Sequence, residues 1–138
     1  MEINHEEMIS SLKPLLIPEE ICACPVFATI KKNSTYIRSN TSEFTYATCT
    51  NKVRMLLYRF DKFSSHKEIY MLGDIIDGDV IKMQSGIYVA DLTFIADVGT
   101  SRLQMSFDPN FDHVRFPKQA KNSELMYKIL ARCVGIET

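Results

Sequence analysis

The chain has 138 residues, a mass of 15.8 kDa, 46% hydrophobic and 24% charged residues, and a formal net charge of −1. That size fits one domain around one hydrophobic core, and the composition is that of a globular rather than a disordered protein. The charge lacks the basic surplus expected of a duplex nucleic-acid binder, so no nucleic acid is expected as a partner. Met1-Glu2-Ile3-Asn4-His5-Glu6-Glu7 carries neither the basic nor the apolar region of a secretory signal, and no apolar run is long enough to span a bilayer. The expectation is a cytoplasmic protein, in which Cys22, Cys24, Cys49 and Cys133 pack as small apolar side chains rather than as disulfides or metal ligands.

A short N-terminal helix is expected over residues 1–16. Asn4 is placed as N-cap with Glu7 three residues on, Met8, Leu12, Leu15 and Leu16 recur at helical spacing, and Pro14 ends or bends the helix. From about residue 20 the period changes from helical to alternating. Strands are expected over 21–30, 44–49, 53–58, 68–72, 79–83, 87–96 and 101–107, with turn signals at Gly73, Asp77-Gly78, Gly86, Gly99 and Pro109-Asn110. The last strand alternates most cleanly: Leu103, Met105 and Phe107 face one way and Arg102, Gln104 and Ser106 the other. Asp74 is expected to cap a single turn before the strand that follows it. After residue 108 the helical period returns. Over 117–134, Leu125, Met126, Ile129, Leu130 and Cys133 form an apolar stripe that must cover something, and Gly135 is placed to cap its end. The fold class is mainly β: a seven-stranded antiparallel barrel or sandwich, strands over 20–108, capped by a C-terminal helix, all within one domain of residues 1–138.

Three stretches resemble the bacterial pleckstrin-homology-like (PH-like) domains. Leu15-Leu16-Ile17-Pro18-Glu19-Glu20 resembles that group's L-x-P-G-E lead-in to the first strand, with Glu19 where glycine is usual. The stretch from Tyr46 to Tyr58, containing Thr50-Asn51-Lys52-Val53-Arg54, resembles its L-T-N-x-R-L-L-I-Y hairpin. Ile69-Tyr70-Met71-Leu72-Gly73-Asp74-Ile75 resembles its I-P-L-x-D-I stretch. The resemblance spans residues 15–134 and implies the PH-like fold; many PH domains bind phosphoinositides through basic residues of the first interstrand loop. The candidate anion ligands here are Lys31, Lys32 and Arg38, joined by Lys52 and Arg54 in K-x-R form at the next hairpin, and by Lys67. If these loops converged, they would form a modest cationic rim for acidic lipid or an anionic membrane surface.

The reading of function is a non-enzymatic interaction module that binds a protein partner or self-associates. An open sheet edge can accept a strand from another chain, and Met8, Ile9 and Leu12 offer apolar surface for a homo-oligomer. The alternative is that this helix folds back on its own sheet. Two further readings are a small hydrolase built on Asp108, Asp112 and His113, and a lipid cavity lined by Phe44, Tyr46, Tyr58, Tyr88, Phe94 and Phe107. No nucleophile, metal or phosphate-loop motif occurs, and no cofactor is expected.

Overall fold

The computed structural model describes residues 2–31, 43–61 and 63–136. Its elements are α1 (His5–Leu12), continued by a 3₁₀ turn over Lys13–Leu15, then β1 (Val26–Ile30), β2 (Glu43–Cys49), β3 (Arg54–Phe60), β4 (Ser65–Met71), β5 (Ile75–Lys82), β6 (Tyr88–Ile95), β7 (Thr100–Phe107) and α2 (Gln119–Cys133). Each expected strand and both helices are present. A single 3₁₀ turn over Leu72–Asp74 precedes β5, but Asp74 is its last residue and does not cap it.

The seven strands form one antiparallel sheet in the order β4-β3-β2-β1-β7-β6-β5. Because β4 and β5 end the order rather than pair with each other, the sheet is not a closed barrel; it is sandwich-like. The halves join at β1 and β7, which share only two register pairs, Thr29 with Ser106 and Ile30 with Met105. Below that seam they splay, and α2 fills the opening. Its Met126 and Leu130 enter a core shared with Val26, Ala28 and Ile30 of β1, Met55 and Leu57 of β3, and the inward residues of β6 and β7.

The backbone that β1 exposes at the seam is satisfied by side chains of α2. Gln119 accepts from the Phe27 N–H at 2.9 Å and donates to the Phe27 carbonyl at 2.9 Å and the Asp108 carbonyl at 3.1 Å. Asn122 donates to the Pro25 carbonyl at 2.9 Å. Buried backbone groups need such partners, so these two amides on the inward side of the helix have a structural cause. The helix ends as expected, with Gly135 at φ 80 and the Ile136 N–H on the Ala131 carbonyl.

A second core lies on the opposite, outer face of β1–β3. There Phe27, Tyr46, Leu56 and Phe60 pack with Met8, Leu12 and Phe116. The strand β3 is thus buried on both faces, Met55 and Leu57 inward and Leu56 and Phe60 outward. The Asn4 side chain caps α1 by accepting from the Glu7 N–H at 2.8 Å. Eight residues make a marginal helix alone, and burial of Met8 and Leu12, at about 1.5–3 kcal/mol each, holds it on the sheet.

Two expectations are corrected. Asp77-Gly78 is not a turn but lies inside β5, beside a register shift between Ile75 and Asp77. A Cβ at Gly78 would stand 2.6 Å from the Asp91 carbonyl oxygen, so close strand approach, not chain reversal, is what calls for glycine. Val53 does not open β3 but sits in the preceding turn at φ 58, a conformation that costs a β-branched residue energy.

Candidate interaction surface

The segment ahead of β1 is stitched to the β2–β3 turn around one buried ion pair. Arg54 donates through Nε to Glu20 Oε2 at 2.9 Å and through Nη2 to Glu20 Oε1 at 2.5 Å, and Nη2 also reaches the Leu15 carbonyl at 2.9 Å. Thr50 Oγ1 donates to Glu20 Oε2 at 2.5 Å and the Ile17 N–H to Oε1 at 3.0 Å. The Arg54 guanidinium, helped by Thr50 and Ile17 against the opposing effect of burial, holds the Glu20 carboxyl down at about 2. Asn51 completes the join: its Oδ1 accepts from the Ile21 N–H at 2.8 Å, and its Nδ2 donates to the Glu19 carbonyl at 3.2 Å.

This geometry removes Arg54 from the candidate anion ligands, because its Nε and Nη2 are committed to Glu20 and Leu15 and its side chain is buried. Lys31, Lys52 and Lys67 are exposed, but the strands separate them. Lys31 follows β1 at the end of the sheet where β2 begins, and Lys52 lies in the turn after β2. The length of β2, about 20 Å at 3.4 Å per residue, stands between those ends. Lys67 lies opposite Tyr58 on β4, three strands from β1. Lys32 and Arg38 lie outside the described residues. No cationic rim forms from the described members of the set.

Met8 and Leu12 are likewise not available to a partner: they are buried against the chain's own sheet, with Ile9 half-buried beside them. The periodicity identified an apolar face correctly, and the face belongs to the second core. The six aromatic residues considered as a cavity lining share no cavity among the described residues, because they divide between the two cores. Tyr46, Tyr58 and Phe44 lie on the outer face, and Tyr88, Phe94 and Phe107 on the inner one.

The acid–base cluster considered at His113 does not assemble either. Asp112 pairs with Arg115 at 2.5 Å, and Asp108 accepts from the Asn110 N–H at 2.9 Å. A polar cluster that sequence reading missed lies on β4: Glu68 accepts from Arg59 and Tyr70 and meets His66 Nε2 at 3.0 Å. Burial works to raise the Glu68 carboxyl, but the bonds from Tyr70, Arg59 and His66 outweigh it and leave it lowered. Alternation at 66, 68 and 70 was its only sequence signal. On the uncovered face of β5–β7, Asp79 stands directly across from Asp91, which Arg102 grips at 2.8 and 2.5 Å. Among the described residues no three His, Cys, Asp or Glu side chains are placed to hold a metal. Cys24 and Cys49 are both buried in the inner core.

What remains open is the strand β4. Strands β4 and β5 are the two ends of the sheet, and α2 packs against β5. On the outer face of β4 Ile69 and Met71 are 49% and 47% exposed, opposite Leu56 and Arg54. Ile17 and Val53, also exposed, belong to the segments that the Glu20–Arg54 pair joins there. Apolar surface therefore adjoins an unpaired backbone edge.

No family model matches the sequence, and no curated protein matches it. Among solved structures the fold is similar to the hSac2 domain from the human phosphoinositide phosphatase Sac2, at a TM-score of 0.55 and 12% identity. The match covers 99% of this chain and 88% of that domain, so the likeness is of the whole β-rich architecture.

Proposed function

We propose that the chain is a non-enzymatic interaction module of PH-like build, and that it self-associates through β4. The strand order with a C-terminal helix in the seam supports the PH-like assignment. So does Glu19, which holds φ 68 at the position where the resembled motif has glycine.

The observation that carries self-association is the open β4 edge with Ile69 and Met71 turned outward. Two copies paired antiparallel about Ile69 would set Ile69 against Ile69, Lys67 against Met71 and Glu68 against Tyr70. No like charges meet in that register, and Ile69 and Met71 of the two copies come together on the outer face with Lys67 at either end. The pairing would supply the hydrogen bonds that an edge strand otherwise leaves to water.

Light scattering at micromolar concentration tests this. The expected result is a dimeric mass for the native chain and a monomeric mass for Ile69→Lys, which places a charge on an exposed edge position with little effect on folding. Met8→Ala should lose stability by about 2–5 kcal/mol, yet keep the dimeric mass below its unfolding transition. A strictly monomeric native chain overturns the proposal.

A further inference from the structure

We infer that Cys24 and Cys49 are an oxidant-sensitive pair, which hydrogen peroxide joins by a disulfide where β2 ends beside the lead-in to β1. The inference does not depend on self-association through β4. Both thiols are free in the structure, and neither side chain reaches solvent.

The ladder between β1 and β2 sets the pair face to face. Val26 lies opposite Ala47, so two residues further back Cys24 comes opposite Cys49. Beyond them, the bridge between Cys22 and Thr50 is one residue out of step with that register. Ala23 and Cys24 therefore share Cys49 as their opposite residue, which is the pattern of a β-bulge. Burial agrees: Ala23, Cys24 and Cys49 all belong to the inner core, whereas Cys22 packs on the outer one. Two bonds hold the backbones side by side here, from the Ala23 N–H to the Cys49 carbonyl at 2.8 Å and from the Cys24 N–H to Thr48 Oγ1 at 3.2 Å. Opposite residues of an antiparallel pair stand about 4.5–5.5 Å apart at Cα, inside the range of about 4.4–6.8 Å that a disulfide spans. The thiols also act on each other. The Cys49 thiol outweighs burial in drawing Cys24 below the usual thiol value, and Cys24 in turn pushes Cys49 up. Cys24 is thus the first of the two to ionise, and the thiolate is the attacking form.

The step balances with the peroxide alone. The Cys24 thiolate attacks one peroxide oxygen, the O–O bond breaks, and the leaving hydroxide takes up the proton that Cys24 released. The Cys49 sulfur then attacks the sulfenic acid so formed. The S–S bond forms, the S–O bond breaks, and the departing hydroxide leaves as water with the Cys49 proton. Two thiols lose two electrons, and the peroxide becomes two waters. Residues 21–25 lie outside the regular strands, so local opening of that segment admits the oxidant and sets the rate. The product ties the segment that carries Glu20 to the strand that leads into Thr50, adding a covalent link to the corner that the Glu20–Arg54 pair holds.

The test treats the native chain with hydrogen peroxide without denaturant, alkylates the remaining thiols and maps the unreduced peptides by mass spectrometry. The expected result is that two of the four thiols disappear and the intact single chain loses two hydrogens, with Cys24 linked to Cys49. Dithiothreitol restores all four thiols. The linked chain melts several degrees above the reduced one, because the link constrains the unfolded chain. The double variant Cys22→Ser, Cys133→Ser keeps the linkage. Four thiols that survive peroxide in the folded chain overturn the inference. So do a linkage through Cys22 or Cys133, a sulfinic acid without any linkage, and a linked chain that melts no higher than the reduced one.

Discussion

The Arg54 guanidinium and the Glu20 carboxylate, 34 residues apart in the chain, close on each other through two parallel hydrogen bonds in a buried corner. Every oxygen of Glu20 is engaged, so the pair joins the lead-in segment to the hairpin with no charge left unmatched. Removing one partner strands the other. Glu20→Gln or Arg54→Met alone should cost about 3–5 kcal/mol in urea unfolding, and apolar replacement of both should cost less than the sum. The pH dependence follows from the depressed carboxyl. Its contribution is complete above the ordinary carboxylate value of 4.5 and is lost as pH falls toward about 2. Unfolding measured across that window should show a steeper acid loss for the native chain than for Glu20→Gln.

Glu19 occupies the left-handed region at φ 68, where an L side chain is disfavoured by about 1–2 kcal/mol. Its carbonyl, not its side chain, makes the bond to Asn51. Glycine keeps that bond and removes the strain, but loses more backbone entropy on folding. Glu19→Gly should therefore stabilise by about 0.5–1 kcal/mol, read as a rise of a few degrees in Tm; an unchanged or lower Tm would count against strain at this position.

Gln119 does for Phe27 what a neighbouring strand would do. Gln119→Leu conserves bulk and leaves the Phe27 N–H and two carbonyls without their partner. Each stranded group costs about 1–3 kcal/mol, partly relieved by water, so a loss of about 2–4 kcal/mol is expected in chemical denaturation. Asn122→Leu removes a single bond and should cost about half as much.

Much of this architecture is written in local periodicity. Leu103, Met105 and Phe107 announce β7 because alternation is a property of the strand itself, and they point into the inner core as expected. Periodicity says which face is apolar but not what covers it, so Met8 and Leu12 read equally as a dimer surface and as part of their own core. Turn chemistry misled at Asp77-Gly78, where glycine answers a carbonyl on the adjacent strand rather than a local reversal. Arg54 read as an anion ligand because its partner, Glu20, is distant in the chain. Gln119 and Asn122 carry no signal in the sequence, because nothing local reveals a gap in a sheet.

Only two register pairs join the two halves of the sheet, and the amides of α2 span the rest of the seam. The amide of Phe27 is consequently shielded by a helix rather than by a ladder. Its hydrogen exchanges when α2 lifts away, not when β1 parts from β2. Exchange at Phe27 should thus report the docking of α2, 92 residues away in the chain.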